Sequence, residues 1–216
     1  MAATRIIAVR HGETAWNVDT RIQGQLDIGL NERGLWQAER VGAALADETI
    51  DCVYSSDLAR AHTTAQAIAS RAHQPRARAV RLHRGLRERG FGSFEGQTWA
   101  DIAEKWPEES RRWKQRDPHF APPGGETPLQ LRERVSHTVN EIAAQHVGEH
   151  IVLVAHGGVM DILYRLATQQ ELHATRTWEL GNAAINRLLW TPDALTLVGW
   201  ADTRHLDDGV RDETTA

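Results

Sequence analysis

The hydrophobic pattern along the chain alternates between short continuous apolar runs and longer segments with helical spacing. The runs at 5–9 (RIIAV), 51–55 (DCVYS) and 150–156 (HIVLVAH) lack a regular polar alternation. Such runs are typical of strands that are buried on both faces of a sheet. Between them, as in 30–45, apolar residues recur every three or four positions, which indicates helices. The pattern therefore predicts strands and helices in alternation.

Local capping signals predict where several helices begin. Asn31 and Asp57 are predicted N-caps, the second for a helix over 58–72. The sequence TPLQ at 127–130 forms a capping box with proline at the first helical position. Because side chains of these types accept hydrogen bonds from free N–H groups in the first turn, each should fix a helix start.

The remaining apolar runs predict one weak strand and one hairpin. The weak strand lies at 78–83, and the hairpin strands lie at 184–190 and 195–200. Only a short turn with Pro192 separates the hairpin strands, so we expect them to pair antiparallel.

The stretch 84–126 is irregular and aromatic. Trp99, Trp106 and Trp113 fall seven residues apart, and Pro107 predicts a fresh helix start after the second of them. We therefore expect two short helices, with the tryptophans packing against one another rather than forming a ligand cage.

Together these elements predict an α/β fold: a three-layer αβα architecture around a mostly parallel, doubly wound sheet with one antiparallel edge strand. No linker interrupts the pattern, so we predict one domain over 1–203. Within it, 84–126 should be a small helical, lid-like insertion that covers the site, and 204–216 should be a polar tail.

Composition narrows the classes of partner. The chain has 216 residues, 41% of them apolar, and a net charge of −4. That balance argues against general nucleic-acid binding, which needs a basic face. The single cysteine, Cys52, excludes an internal disulfide and a thiolate-rich metal site, and its apolar surroundings predict a core residue. No apolar run is long enough for a signal segment or a membrane span, so we expect a cytoplasmic location and no membrane partner.

Candidate chemistry gathers where the predicted strands end. Two of the clearest strands lead into His11 and His156, and each histidine is followed by glycine. Arg10 lies beside His11, and Arg60 lies in the first turn of the helix after the second strand. Ligands of such sheets bind beyond the carboxyl ends of the strands, where these side chains should converge. The planar guanidinium groups of the arginines and the N-terminus of the helix after Gly158 favour an oxyanion, best a phosphate.

A neutral imidazole at His11 could also attack phosphorus and carry the phosphoryl group. That step needs an acid on the opposite side to protonate the leaving oxygen. Glu88, in LRERGFGSFEG, is the candidate, and Glu95 is the reserve. A metal site built on His11, His156 and Glu88 is the other chemical interpretation. We expect no metal, because the neighbouring arginines would repel a cation.

Four motifs in these regions resemble the histidine phosphatase superfamily, the phosphoglycerate-mutase-like clan. They are RHGE at 10–13, SSDLARAHTTA at 55–65, LRERGFGSFEG at 86–96 and VAHGG at 154–158. Their order and spacing match the family over most of residues 5–200.

The resemblance implies a role for each candidate residue. His11 would be the phosphorylated nucleophile, and Glu88 would be the acid for the leaving alcohol and then the base for water. Arg10, Arg60 and His156 would bind the phosphoryl oxygens. The family uses no metal, and we expect no cofactor. The expected substrate-binding positions are Asn17 near the phosphate, Arg21 and Gln23 at the mouth of the site, and Gly157 at the start of the following helix.

Two motifs bear on the reaction type. RIQGQ (21–25) replaces the RFTGW type of stretch found in glycolytic mutases, and ERGFGSFEG (88–96) replaces their ERHYGALQG. We therefore favour a phosphomonoester hydrolase that acts through phosphohistidine on a small phosphorylated metabolite. The alternative is a phosphoglycerate mutase that depends on 2,3-bisphosphoglycerate, and a less favoured one is a non-catalytic phosphate-binding module.

Overall fold

A six-stranded sheet forms the centre of the fold in the computed structural model, which describes residues 2–207. The strand order across the sheet is β3-β2-β4-β1-β5-β6. The strands are β1 (Thr4–Arg10), β2 (Cys52–Ser55), β3 (Arg81–Leu82), β4 (His150–Ala155), β5 (Ile185–Thr191) and β6 (Ala194–Asp202).

The sheet is mostly parallel, as predicted. Strands β3, β2, β4 and β1 run in one direction, and β5 runs antiparallel to both β1 and β6. The predicted hairpin pairs as expected. The antiparallel strand was predicted at the edge of the sheet, but β5, the one strand that opposes the others, is the second strand from the edge. The edge position is taken by β6, which pairs antiparallel with β5 and therefore has the same direction as β1.

Helices cover both faces of the sheet, which confirms the three-layer architecture. Side chains of α2 and α3 pack with Ile7, Val9 and their neighbours on one face, and those of α6 and α7 pack with Ile6 and Ala8 on the other. The described α-helices are α1 (Ala15–Val18), α2 (Glu32–Ala44), α3 (Ala59–Ala69), α4 (Trp99–Lys105), α5 (Pro107–Lys114), α6 (Pro128–Ala144) and α7 (Gly157–Thr168).

The continuous apolar runs form the most buried strands. All six residues of β4 are buried, and β4 pairs in parallel with β1 from Arg5↔His150 to Arg10↔Ala155. Cys52 is buried in β2, as predicted, and burial raises the pKa of its thiol. Because helices cover both faces, alternate side chains of each strand face one of two apolar layers.

Two of the predicted caps are present and one is wrong. The Asn31 side chain accepts a hydrogen bond from the Gly34 N–H, and Thr127 and Gln130 form the capping box of α6. Asp57, by contrast, does not cap α3. Its carboxylate is held in an ion pair with Arg87 at 2.7 Å. A carboxylate distant in sequence, that of Asp27, accepts from the Ala59 N–H instead, at 2.7 Å.

The 84–126 segment contains the two short helices predicted for it, α4 and α5. Phe94, Ile102 and Phe120 form a small core of its own, together with Ile22. The tryptophans pack as expected: the ring centroids of Trp99 and Trp113 are 5.2 Å apart, and those of Phe94 and Trp106 are 5.6 Å apart. The segment is thus a packed unit.

The weak strand and the tail differ in extent from their predictions. The strand predicted at 78–83 is reduced to the two residues of β3, because Pro75–Arg78 form a 3₁₀ helix before it. The predicted tail over 204–216 begins with a 3₁₀ helix, Arg204–Leu206, and its residues 208–216 lie outside the described residues. Within residues 2–207, no helix combines the length and the apolar character that a membrane crossing requires.

Candidate active site

His11 and His156 lie side by side where β1 and β4 end. The two strands are parallel neighbours, and the His11 N–H continues their ladder by donating to the Ala155 carbonyl at 3.0 Å. The ring centroids are 5.1 Å apart, and both residues are buried. The convergence predicted from the strand ends is therefore confirmed.

The position of the His11 proton follows from its one hydrogen bond. Nδ1 lies 2.7 Å from the Gly12 carbonyl oxygen, which can only accept, so Nδ1 carries the hydrogen. In the neutral ring the lone pair is then on Nε2. The backbone around the ring is held as well: Thr64 Oγ1 accepts from the Gly12 N–H at 3.1 Å, and Asn182 Nδ2 donates to the His11 carbonyl at 3.0 Å. The ring therefore presents Nε2 in a fixed direction.

Two arginines face the same spot. Arg60 is buried, and its Nη1 and Nη2 donate to the carbonyls of Leu26 and Gly24 at 2.8 and 2.7 Å. Arg10 donates through Nη1 to the Leu180 carbonyl. The Nε atoms of both arginines and both ring nitrogens of His156 are buried without a hydrogen-bond partner among residues 2–207. Buried donors of this kind normally have a partner, and an oxyanion supplies one for several donors at once.

The electrostatics of the site keep both histidines neutral. Burial lowers the pKa of His11 and of His156 well below the ordinary value of 6.5, and the charges of Arg10 and Arg60 lower both further. An uncharged imidazole is the nucleophilic form. His11 therefore stays ready for attack in the free protein at neutral pH.

These pKa values predict that the free energy of unfolding falls as the pH drops below about 6.5. The unfolded histidines bind protons there, whereas the folded ones do not, and each histidine contributes at most ~1.4 kcal/mol per pH unit. Urea unfolding between pH 7 and 5 measures the slope. His156→Gln should make it shallower, and His137→Gln, at an exposed position, should not. A slope unchanged in His156→Gln would contradict the assigned neutral state.

Glu88 lies at the N-terminus of α7, on the edge of the same crevice. Its two carboxylate oxygens are each 3.1 Å from the Gly158 nitrogen, and Oε1 accepts from the Arg89 N–H at 2.7 Å. A Cβ at Gly158 would lie 2.3 Å from Oε1, so this close approach requires glycine. Burial lowers the pKa of Arg10 and of Arg60, and the negative charge of Glu88 opposes part of that lowering, which places the carboxylate within range of both guanidinium groups.

Glu95, the reserve candidate, and a further carboxylate, Glu126, hold loops together. Glu95 Oε1 accepts from the N–H groups of Gln25 and Phe91, each at 3.0 Å. Glu126 forms an ion pair with Arg134 at 2.8 Å and accepts from the Gly90 N–H at 3.2 Å. The geometry therefore favours Glu88 over Glu95 as the acid.

Three of the expected substrate-binding residues form part of the loops around the crevice. Asn17 Oδ1 accepts from Asn182 Nδ2 at 3.3 Å, and Gln23 Oε1 accepts from Thr14 Oγ1 at 2.9 Å. Arg21 turns toward the 84–126 segment, where its Nη1 donates to the Gly96 carbonyl at 2.6 Å.

Gly157, the fourth, faces the Arg10 side chain. A Cβ at this position would lie 3.5 Å from the Arg10 guanidinium carbon. Substrate contacts of all four residues stay predictions.

Several residues of the site were not identified from the sequence. Arg134 Nη1 donates to the carbonyls of Gly85 and Arg87, and its Nη2 donates to that of Glu88, so it holds the segment that carries the carboxylate. Thr64 could have been found, because it lies four residues after Arg60 on the same face of α3. Asn182 could not be identified from the sequence, because it lies in an irregular segment before β5 where no periodicity or motif predicts the position of its side chain.

A cavity of about 580 Å³ adjoins the site. Its lining includes Arg10, which precedes His11, and Gly157 and Gly158, which follow His156, but neither histidine itself. The rest is lined in part by three aromatic side chains and by arginines from several elements: Phe91, Trp99, Trp113, Arg89, Arg116 and Arg176. Neither this site nor any other part of residues 2–207 contains a group of three or more histidine, cysteine or acidic side chains that could hold a metal ion.

Comparison with known proteins gives consistent results. The sequence profile of the histidine phosphatase superfamily (branch 1) matches residues 6–203. The chain is 39% identical to the metal-independent phosphoserine phosphatase of Arabidopsis thaliana, over 94% of this chain and 83% of that protein. It is 38% identical to phosphoglycerate mutase-like protein 4 of the same plant, over 94% of this chain and 87% of that protein.

A solved structure extends the likeness to the fold. A phosphoserine phosphatase mutant from Entamoeba histolytica, in complex with phosphoserine, superposes with a TM-score of 0.83 at 27% identity. The match covers 94% of this chain and 100% of that chain.

Proposed function

The chain belongs to the histidine phosphatase superfamily, and we propose that it hydrolyses phosphomonoesters of small metabolites through a phosphohistidine intermediate on His11. The observation that carries the proposal is a set of buried groups near His11 that have no hydrogen-bond partner within residues 2–207: the Nε–H groups of Arg10 and Arg60 and the ring of His156, which has one N–H when neutral. Their chemistry suits the oxygens of a phosphoryl group that faces the nucleophile.

In the first half of the reaction, Nε2 of His11 attacks phosphorus and the ester P–O bond breaks. Glu88, in its protonated form, gives its proton to the leaving oxygen, so that the product leaves as a neutral alcohol. The phosphoryl group is then bonded to Nε2, and the Nδ1–H of the now cationic ring remains bonded to the Gly12 carbonyl. The Gly12 carbonyl oxygen, which accepts this hydrogen bond, stabilises the positive charge of the ring.

In the second half, a water molecule attacks phosphorus from the side of the departed alcohol. Glu88, now a carboxylate, takes a proton from that water, and the P–N bond breaks. Inorganic phosphate is released, His11 is neutral again and Glu88 has recovered its proton. No further reactant is needed.

The cationic groups act on the charge that develops on the phosphoryl oxygens. Arg10 and Arg60 are fixed by hydrogen bonds to backbone carbonyls, so they need no rearrangement when the transition state forms. His156 is neutral and offers one ring N–H, and α7 directs its N-terminal dipole at the same place. Preorganised donors of this kind are typically the largest source of catalysis in such sites.

The experiment that tests the proposal is a turnover assay with a panel of phosphomonoesters, including p-nitrophenyl phosphate and phosphoserine. Purified protein should release phosphate in the presence of EDTA and without 2,3-bisphosphoglycerate. The resemblance to a phosphoserine phosphatase supports including that substrate. The predicted lack of a metal or organic cofactor is tested by the same assay, and the cytoplasmic location stays a prediction.

Two outcomes would overturn the proposal. Interconversion of 2- and 3-phosphoglycerate that is stimulated by 2,3-bisphosphoglycerate and exceeds hydrolysis would make the protein a mutase. Tight binding of inorganic phosphate with no turnover of any ester would make it a binding module.

A further inference from the structure

The cavity is larger than the phosphoryl site requires. Its volume of about 580 Å³ falls within the ~300–1,000 Å³ of sites that hold drug-sized ligands. In the proposed reaction, a phosphoryl group on His11 would lie near Arg10 and Gly157, which form one part of the cavity lining. The rest of the cavity would then surround the alcohol portion of the ester.

One wall of this outer part is aromatic and rigidly supported. The ring centroids of Phe91 and Trp113 are 5.3 Å apart, and those of Trp99 and Trp113 are 5.2 Å apart. The guanidinium carbon of Arg89 lies 4.6 Å from the Trp113 ring centroid, and its nitrogens are bonded to the carbonyls of Glu126 and Phe120. Trp99 is 42% exposed and lines the cavity. The wall offers a flat surface on which a ring can stack.

Two arginines in the cavity lining differ from the other arginines around them. Arg116 and Arg176 form no ion pair and no side-chain hydrogen bond with the residues that the structure describes, although both line the cavity. In the same segment as Arg116, Arg111 and Arg112 are each paired with a carboxylate at 2.6 Å. Arg165, which also lines the cavity, is bonded to Asp161 at 2.8 Å. Two guanidinium groups without a partner among the described residues therefore line the cavity, whose lining also includes Asp161, the ion-pair partner of Arg165.

These arginines come from two different segments of the chain that both line the cavity. Arg116 follows α5 with a φ of 54°, and its N–H donates to the Trp113 carbonyl at 3.0 Å. This conformation ends the helix beside the aromatic wall. Arg176 lies in the segment between α7 and β5, close enough to Arg10 for its charge to add to the effect of burial in lowering the pKa of Arg10. An anion between the two would bridge the 84–126 segment and the body of the fold.

We propose that this cavity selects phosphomonoesters whose alcohol carries a ring, stacked on Trp99 and Trp113, and a second anionic group, a carboxylate or a phosphate, bound by Arg116 and Arg176. The inference rests on the proposed hydrolase activity and adds a substrate class to it. The common chemistry of the second group is a planar or tetrahedral oxyanion, which arginine binds through paired hydrogen bonds.

The test compares three synthetic esters that differ only in the group opposite the phosphate: 4-carboxyphenyl, 4-phosphonophenyl and 4-carbamoylphenyl phosphate. The carbamoyl compound keeps the shape of the carboxylate without its charge. In the wild type, kcat/KM should be roughly 10- to 100-fold higher for at least one of the charged esters than for the carbamoyl ester. Which charged ester is preferred distinguishes a carboxylate from a phosphate ligand.

Arg116→Gln and Arg176→Gln should each lower the ratio of kcat/KM for the charged ester to kcat/KM for the carbamoyl ester several-fold. In the double variant this ratio should fall to about 1, because neither arginine then favours the charged ester. The matched control is Arg111→Gln, which removes one arginine charge from the adjacent helix α5, where it lies in an exposed ion pair. This variant should leave the ratio unchanged. Comparing ratios between variants cancels differences in leaving-group reactivity.

The stacking surface is tested with Trp99→Ala. This variant should lower the ratio of kcat/KM for phenyl phosphate to that for phosphoserine by roughly 2- to 10-fold. If the wild type hydrolyses all esters with charged-to-neutral ratios near 1, or if Arg111→Gln changes the ratio as much as Arg116→Gln, the second anion site is wrong. If none of the esters is hydrolysed, the proposed hydrolase activity has failed instead.

Discussion

Replacing His11 with glutamine should reduce kcat for p-nitrophenyl phosphate by on the order of 10⁴-fold or more, because the group that forms the covalent bond is lost. Glutamine keeps an uncharged polar side chain of similar length but has no nitrogen lone pair that can attack phosphorus. The remaining cationic groups, Arg10 and Arg60, are untouched in the variant. Binding of inorganic phosphate should therefore persist while turnover does not.

The measurement combines steady-state kinetics with direct detection of the intermediate. Brief mixing with a phosphate-labelled ester, followed by quenching in base, should trap one labelled histidine in the wild type and none in His11→Gln. His137→Gln, at a position with an 82% exposed side chain, is the matched control and should behave as the wild type. Label found on His156, or retained in His11→Gln, would show that the nucleophile has been misassigned.

Glu88→Gln should have the second largest effect, and its size should depend on the leaving group. For an alkyl ester such as β-glycerophosphate, kcat/KM should fall roughly 10²- to 10⁴-fold, the usual worth of a general acid. For p-nitrophenyl phosphate the fall should be much smaller, because nitrophenolate departs without a proton. Glutamine retains a carbonyl oxygen that can accept from the Gly158 and Arg89 N–H groups, so the local structure should survive.

Two further carboxylates make this test specific. Glu95→Gln should lower both rates together, if at all, because Glu95 supports the loop at Gln25 and Phe91. Glu104→Gln, at an exposed position on α4, should change neither. A loss confined to alkyl esters in Glu95→Gln, with Glu88→Gln unaffected, would transfer the acid role to Glu95.

The convergence of the candidate site residues was predictable because it depends on the parts of the chain with the clearest apolar pattern. His11 and His156 follow two long apolar runs, and such runs form central parallel strands whose ends meet. Arg60 was predictable for a similar reason, since it lies one residue into a helix that starts at the same edge of the sheet. In both cases a local pattern and a general rule of sheet topology determine the position.

The surroundings were less predictable because they depend on contacts between distant parts of the chain. Asp57 has the residue type of an N-cap, yet Arg87, thirty residues later, competes for its carboxylate. Arg116 and Arg176 lie in irregular segments with no periodicity to orient their side chains. The short turn before β6 was enough to predict that β6 pairs with β5. The position of β6 at the edge could not be predicted in the same way, because it depends on the order of all six strands.

The segment between α7 and β5 forms hydrogen bonds with Arg10 and His11. Its Leu180 carbonyl accepts from Arg10, and its Asn182 amide donates to the His11 backbone. The same segment carries Arg176, which lines the cavity. An anion bound by Arg176 and the proposed nucleophile, His11, would therefore share one supporting segment, so we expect substitutions in it to change substrate preference and turnover together.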